Sequence, residues 1–108
     1  MHGYRVSISL LEMIASFGDR ATQDLFHGRR SARVWRYPPG VSEAAVPKLD
    51  LLNAATAIQD LRSPPGNRLK MLRGALRGWY SMRVNDQWRL VFRWHDGDAS
   101  GVRLTDYH

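Results

Sequence analysis

The stretch that decides the fold is residues 79–94, WYSMRVNDQWRLVFRW. Apolar side chains fall on every other residue of this stretch, which is the period of a β-strand. The side chains expected on one buried face are Tyr80, Met82, Val84, Trp88, Leu90, Phe92 and Trp94. Asn85-Asp86 tolerates positive φ and is a two-residue turn signal, so we expect the second strand to fold straight back beside the first.

The opposite face of the same strands is rich in arginine. Asp96-Gly97 is a second hairpin signal, and a final strand over residues 101–107 turns Val102 and Leu104 inward. The side chains expected on the outward face include Arg83, Arg89, Arg93, Arg103, Thr105, Trp79 and Tyr107. With helices on the core face, this surface is predicted to be an open, basic, partly aromatic floor.

The first half of the chain has the signals of helices and loops. Asp19 is a helix cap, and the helix that follows is expected to run to about His27. Residues 28–40 are expected to form a loop with its arginines in solvent. Ser42 is expected to cap a second helix, in which Pro47 either causes a bend or begins the main body.

Three shorter segments complete this half. Residues 8–17 are expected to be a short apolar strand or an unsettled segment, and residues 57–61 to add one more helical turn. Ser63-Pro64-Pro65-Gly66 then ends the helical half. Helices followed by an antiparallel meander indicate an α+β domain.

Composition limits the class of protein. The 108 residues suit one domain, and the absence of cysteine excludes a disulfide scaffold or thiolate metal cluster and favours a reducing cytoplasm. No apolar run approaches the ~18–20 residues that span a membrane. Residues 62–103 hold nine Lys and Arg against three Asp, whereas the rest of the chain is balanced. Arginine supplies fourteen of the sixteen cations, and its guanidinium is the better fork for phosphate.

A basic, aromatic sheet face suits single-stranded nucleic acid, whose phosphates meet guanidinium groups while bases stack on flat rings. The alternative is a solvated face that uses arginine for cross-strand pairs, edge protection and solubility. Among the histidines, His2, His27 and His95 have structural explanations, and a terminal His108 is usually frayed. The sequence has no metal-ligand spacing, nucleophile elbow or glycine-rich phosphate loop.

Several motifs together are similar to the HigB branch of the RelE-type bacterial toxins. They are Met13-Ile14-x-Ser16-Phe17, Pro64-Pro65-Gly66-Asn67-Arg68-Leu69, Leu72-Arg73-Gly74, Gly78-Trp79-Tyr80-Ser81, Asn85-Asp86-Gln87-Trp88-Arg89-Leu90-Val91-Phe92 and Asp106-Tyr107-His108. The resemblance implies a RelE-like microbial ribonuclease fold with two N-terminal helices packed on a small antiparallel sheet. It also implies a single toxin domain over residues 13–108, with residues 1–12 as either an upstream start or a short N-terminal extension.

The function implied by this resemblance is that of a toxin of a type II toxin-antitoxin system. Such a toxin is a ribosome-dependent endoribonuclease that enters the decoding site, beside 16S ribosomal RNA, and cuts messenger RNA without a metal or other cofactor. A HigA-type antitoxin with a helix-turn-helix fold binds such a toxin and inhibits it. Carried over by position, His108 is the proton-transfer group, Asp106 and Tyr107 orient it or the substrate, and Arg73 and Arg89 stabilise charge.

One departure concerns Arg73, which stands where family members often carry Lys. A guanidinium with a pKa above ~12 binds phosphate but is a poor base, so general-base proton transfer depends more on His108. The residues expected to contact RNA or the ribosome are Arg83, Arg93, Lys70, Arg68 and Trp79. Two other functions stay open: a non-catalytic basic RNA-binding protein, and a gyrase-inhibiting toxin on the same fold, against which the Asp106-Tyr107-His108 ending argues.

Overall fold

The computed structural model describes residues 14–106, and its elements follow the predicted order of helices and then strands. The α-helices are α1 (Arg20–Phe26), α2 (Ala32–Trp35) and α3 (Val41–Ala54), and the 3₁₀ helices are Ile58–Arg62, Pro65–Asn67 and Gly74–Leu76. The strands are β1 (Lys70–Met71), β2 (Trp79–Arg83), β3 (Trp88–His95) and β4 (Asp98–Asp106). They form one antiparallel sheet in the order β1-β2-β3-β4, which confirms the α+β meander.

The core lies between α3, α1 and one face of the sheet. Met82, Leu90 and Phe92 are fully buried on that face, and Leu49 and Leu52 of α3 are fully buried against them. Each such side chain contributes about 1.5–3 kcal/mol by leaving water. Trp88 and Trp94 are partly buried and pack against the same cluster, so the predicted core face is confirmed.

The first helix has the predicted cap. The Asp19 carboxylate accepts a hydrogen bond from the Thr22 N–H at 2.8 Å, which satisfies one of the free donors of the first turn. The Thr22 hydroxyl in turn accepts from the backbone N–H of Leu104 at 2.9 Å. This bond ties α1 to β4.

The prediction that residues 28–40 form a loop is wrong at Ala32–Trp35, which form α2. The prediction that the arginines of this segment lie in solvent is confirmed, because all four are exposed, although two of them also pair with an aspartate. Ser31 caps the short helix α2, and its hydroxyl also donates to the Asp24 carboxylate at 2.8 Å. Arg29 and Arg33 each form an ion pair with Asp24 at 3.3 Å. Because Asp24 is buried, its carboxylate needs these partners, and they order the segment.

The second predicted helix starts earlier than expected. Gly40, at a φ of 84°, caps α3, so Ser42 lies inside the helix and not at its cap. Pro47 is an exposed interior residue of α3, so the helix body does not begin there.

The two hairpins differ from each other. Asp96 and Gly97 both have positive φ, 50° and 82°, and form the predicted tight turn between β3 and β4. The β2–β3 connection spans residues 84–87 instead of two residues, because the Asn85 side chain accepts from the N–H groups of Gln87 and Trp88.

The last strand begins at Asp98, three residues before the predicted start, and its register shifts near Gly101. Its outer edge is covered by the segment from Ile14 to Phe17, which makes parallel bridges to Ala99 and Val102. These bridges satisfy edge groups that would otherwise invite pairing with another chain. Residues 8–13 of the expected apolar strand, the expected extension 1–12 and Tyr107 lie outside the described residues.

Candidate functional site

The register of the sheet brings the four predicted arginines to one face. Trp79 pairs with Arg93, Arg83 with Arg89, and Val91 with both Ser81 and Arg103. Directly paired residues of antiparallel strands point to the same side, so Arg83, Arg89, Arg93 and Arg103 lie opposite the core. We call this surface the arginine face, and its prediction from strand alternation is confirmed.

The expectation that this face is open is wrong at its centre. Ser81 is 0% exposed and Val91 is 8% exposed, although both point away from the core. The segment before β2 folds over them and closes a pocket of about 380 Å³, which we call the face pocket. Its lining is Leu72, Arg73, Leu76, Trp79, Ser81, Val91, Arg103, Thr105 and Asp106.

Two of the predicted catalytic residues, Arg73 and Asp106, meet in the face pocket. Arg73 lies directly before the 3₁₀ helix Gly74–Leu76, in the segment that precedes β2. Asp106 is the last residue of β4 and belongs to the sheet. The pocket therefore combines a guanidinium from one element with a carboxylate from another. Tyr107 and His108 follow Asp106 directly in the chain and lie outside the described residues.

Trp79 forms one edge of the pocket, and Arg93 and Gly101 lie close to its ring. The guanidinium carbon of Arg93 lies 5.6 Å from the centre of the ring, within cation–π range. At Gly101, φ is 62° and an added Cβ would lie 3.0 Å from the indole, so glycine allows the ring to pack there.

The other predicted arginines differ from one another in their contacts and in their distance from the face pocket. Arg83 forms an ion pair with Asp86 of the β2–β3 connection, so this guanidinium already has an acidic partner. Arg89 is half-buried and pairs in register with Arg83 and Thr105, one row away from Ser81 and Val91. Arg89 is on the correct face but does not line the face pocket.

Lys70 belongs to a second depression beside the first. This groove of about 610 Å³ is lined by Lys70, Met71, Leu72, Arg73, Gly74 and Arg77. Arg73 and Leu72 line both cavities, so three cations surround a surface continuous with the face pocket. Arg68 is exposed, ends the 3₁₀ helix Pro65–Asn67 and lines neither cavity.

The loop that leads to β1 is held by a buried amide. Asn67 is fully buried and donates to the carbonyls of Leu61 at 3.1 Å and Ser63 at 3.2 Å, while its amide oxygen accepts from the Lys48 ammonium. These bonds fix where β1 begins. They therefore help to place Arg73 over the sheet.

Asp106 and Thr105 also border a third cavity, of about 530 Å³, on the helical side. Its lining is Asp19, Arg20, Ala21, Arg33, Arg36, Tyr37, Trp88, Leu104, Thr105 and Asp106. Burial raises the pKa of the Tyr37 phenol, so this group stays neutral at physiological pH. Nearby, the hydrogen bond from Ser31 and the Arg29 and Arg33 guanidiniums lower the pKa of Asp24.

The sequence-based list of site residues missed Ser81, Thr105 and Arg103. Strand alternation placed all three on the arginine face, but nothing in the pattern indicates that the segment 72–76 covers them. Within residues 14–106, no cluster of three or more potential metal-binding side chains is present. No helix in that range is long and apolar enough to cross a membrane.

The described residues form a small α+β domain with a cationic pocket on its sheet, and comparison with known proteins identifies its family. Residues 15–108 match the family model of the HigB-like toxins, described as RelE-like toxins of the type II toxin-antitoxin system HigB. The chain belongs to this family, so the resemblance noted in its motifs is confirmed. A type II system pairs its toxin with an antitoxin.

Individual relatives agree with this assignment. Toxin HigB-1 of Vibrio cholerae serotype O1 is 42% identical over 95 residues, which cover 88% of this chain and 98% of that protein. An uncharacterized protein of Haemophilus influenzae is 35% identical over 72 residues, 67% of this chain and 71% of its own. Endoribonuclease HigB of Proteus vulgaris is 33% identical over 61 residues, 56% of this chain and 65% of its own.

Proposed function

We propose that this chain is a ribosome-dependent endoribonuclease that cuts messenger RNA in the decoding site. The observation that carries the proposal is the meeting of Arg73 and Asp106 in the face pocket, directly before Tyr107 and His108 in the chain. Membership in the HigB-like family and the name of the Proteus relative, an endoribonuclease, support the same activity. A HigA-type antitoxin would be the partner that silences it.

The proposed reaction is an internal transfer at phosphorus. The ribose 2′-oxygen attacks the adjacent phosphate, a 2′-O–P bond forms, and the bond from phosphorus to the 5′-oxygen breaks. His108 accepts the proton of the 2′-hydroxyl, the departing 5′-oxygen takes a proton from solvent water, and the imidazolium then returns its proton to solvent. Chemistry of this kind needs a proton-transfer group and cations for the charge on the phosphorane, and it proceeds without a metal.

Each remaining site residue has a role that suits its side chain. Arg73 and Arg89 stabilise charge on the phosphate oxygens, because a guanidinium keeps its proton at any physiological pH. Asp106 and Tyr107 orient His108 or the substrate. Lys70, Arg68, Arg83, Arg93 and Trp79 bind RNA along the arginine face and its rim. The 16S ribosomal RNA and the message are the polyanions that this surface fits.

The deciding experiment maps transcript 5′ ends after brief induction of the protein, with and without an inhibitor of translation. New 5′ ends within coding regions that disappear when translation stops are expected. New ends that persist without translation would contradict ribosome dependence. If no new ends appear while growth still stops, the protein acts by binding, as a non-catalytic RNA-binding protein or a gyrase inhibitor would.

A further inference from the structure

The floor of the face pocket contains a hydroxyl group that the proposed mechanism does not use. Ser81 is 0% exposed, and within residues 14–106 its Oγ atom has no hydrogen-bond partner. A buried hydroxyl without a partner is unfavourable, and most buried polar groups in proteins are paired. An unpaired hydroxyl in the lining of a pocket therefore indicates that a ligand with a hydrogen-bonding group binds in that pocket.

The charges around Ser81 indicate which partner fits. Across the sheet the register runs Lys70, Ser81, Val91 and Arg103, so a cation lies on each side of the hydroxyl. Arg73, in the segment before β2, lines the same pocket as Ser81 and Arg103. Neighbouring strands are about 4.8 Å apart, and the long side chains of Lys and Arg reach across one or two such steps.

We infer that Ser81, Arg73 and Arg103 form a subsite for one phosphate group, in which the Ser81 hydroxyl donates a hydrogen bond to a non-bridging oxygen. This inference rests on the proposed function, since the phosphate is that of the RNA chain. Cations alone would attract a polyanion without fixing it. A short hydroxyl at the floor holds one oxygen at a defined depth, so Ser81 is a positioning group for the phosphate.

Asp106 also lines the pocket, and its carboxylate limits where an anion sits. Thr105 and Asp106 come from the end of β4, whereas Ser81 is in the middle of β2. The subsite therefore lies toward Arg103 and Arg73, and away from the acidic end of the pocket.

The first test measures binding of inorganic phosphate to the purified full chain by amide chemical shifts, in wild type, Ser81→Ala and Ser81→Cys. We expect about tenfold weaker binding in Ser81→Ala, since a hydrogen bond to a charged group is worth this much, and an intermediate loss in Ser81→Cys. Ser100→Ala is the matched control, a half-buried serine opposite Arg93 that does not line the pocket, and is expected to bind as wild type.

Thermal unfolding of the same variants separates binding from structure. Because the Ser81 hydroxyl has no partner among residues 14–106, its removal should not weaken the fold, and Ser81→Ala is expected to melt at the same temperature as wild type or above it. A lower melting temperature would show that the hydroxyl has a structural partner such as a buried water, and would overturn the inference. Unchanged phosphate affinity in Ser81→Ala, or no phosphate binding by wild type, would overturn it as well.

Messenger RNA cleavage distinguishes failure of the subsite from failure of the proposed function. If wild type cleaves messages and Ser81→Ala binds phosphate as wild type does, the inferred subsite is excluded and the proposed ribonuclease activity is supported. If wild type never cleaves but Ser81→Ala loses phosphate, the subsite stands and its ligand belongs to another reaction.

Discussion

Trp79 lies directly against Gly101, so closely that a Cβ at position 101 would be 3.0 Å from the indole. Gly101 also adopts a φ of 62°, in the left-handed region that residues with a Cβ avoid. Glycine is required here for two reasons that act together. The position of the aromatic edge of the face pocket therefore depends on one backbone position in β4.

Replacing Gly101 by alanine is expected to lower the free energy of unfolding by about 1–3 kcal/mol and to displace the Trp79 ring. Urea unfolding measures the first effect, and the indole N–H resonance of Trp79 reports the second. Gly28→Ala is the control, because Gly28 has a similar φ of 73° but nothing within 4 Å of an added Cβ. If both variants lose equal stability and the Trp79 resonance does not shift, the close contact between Trp79 and Gly101 does not contribute to stability.

His108→Ala is expected to relieve growth arrest in cells that express the protein, while ribosome association persists. Loss of the proton-transfer group should slow cleavage by about 10²–10⁴-fold, whereas binding depends on the arginine face. Growth curves and co-sedimentation with ribosomes measure the two properties. A tag fused after His108 should also impair activity, and a tag placed before Met13 should not. A His108→Ala protein that is as toxic as wild type would exclude this role.

Arg73 and Arg77 offer a test of the face pocket itself. Both line the neighbouring groove, but Arg73 also lines the face pocket and Arg77 does not. Arg73→Ala is expected to slow cleavage by about 10²-fold or more, the usual loss when one group that stabilises transition-state charge is removed. Arg77→Ala should cost far less, and single-turnover cleavage on ribosomes compares them. Equal losses would mean that the pair contributes only general attraction for RNA.

Strand alternation predicted which side of the sheet each arginine occupies, because a slip of one residue would move the entire apolar set out of the core. It did not predict the pocket. Ser81 and Val91 are buried by the segment 72–76, which is held in place by turns and by the loop before β1. Likewise, the sequence did not predict that two of the exposed arginines of residues 28–40 pair with Asp24, because no local pattern reveals that this carboxylate is buried.

The pH dependence of stability should reveal the Asp24 cluster. Because Ser31 and the two guanidiniums lower the pKa of Asp24 in the folded protein, its carboxylate stabilises the fold above the unfolded pKa. That contribution is lost as pH falls through the folded pKa. Asp24→Asn is therefore expected to be less stable than wild type near pH ~7, with the difference shrinking toward pH ~2–3.

Urea unfolding at the two pH values measures this difference, and Asp50→Asn serves as the control because Asp50 is an exposed aspartate of α3. A stability difference for Asp24→Asn that stays constant across this range would show that the ionised carboxylate is not what stabilises the segment.

Asn67→Ala is expected to be among the most destabilising single changes outside the apolar core, at about 2–4 kcal/mol, because it leaves the carbonyls of Leu61 and Ser63 without their donor. Lys48→Met is the matched control, since it removes only the contact from the Lys48 ammonium to the same amide. Chemical unfolding should therefore rank Asn67→Ala well below Lys48→Met. If the two variants are equally stable, the ammonium and not the pair of carbonyls accounts for the role of Asn67, and the loop before β1 is held from α3 alone.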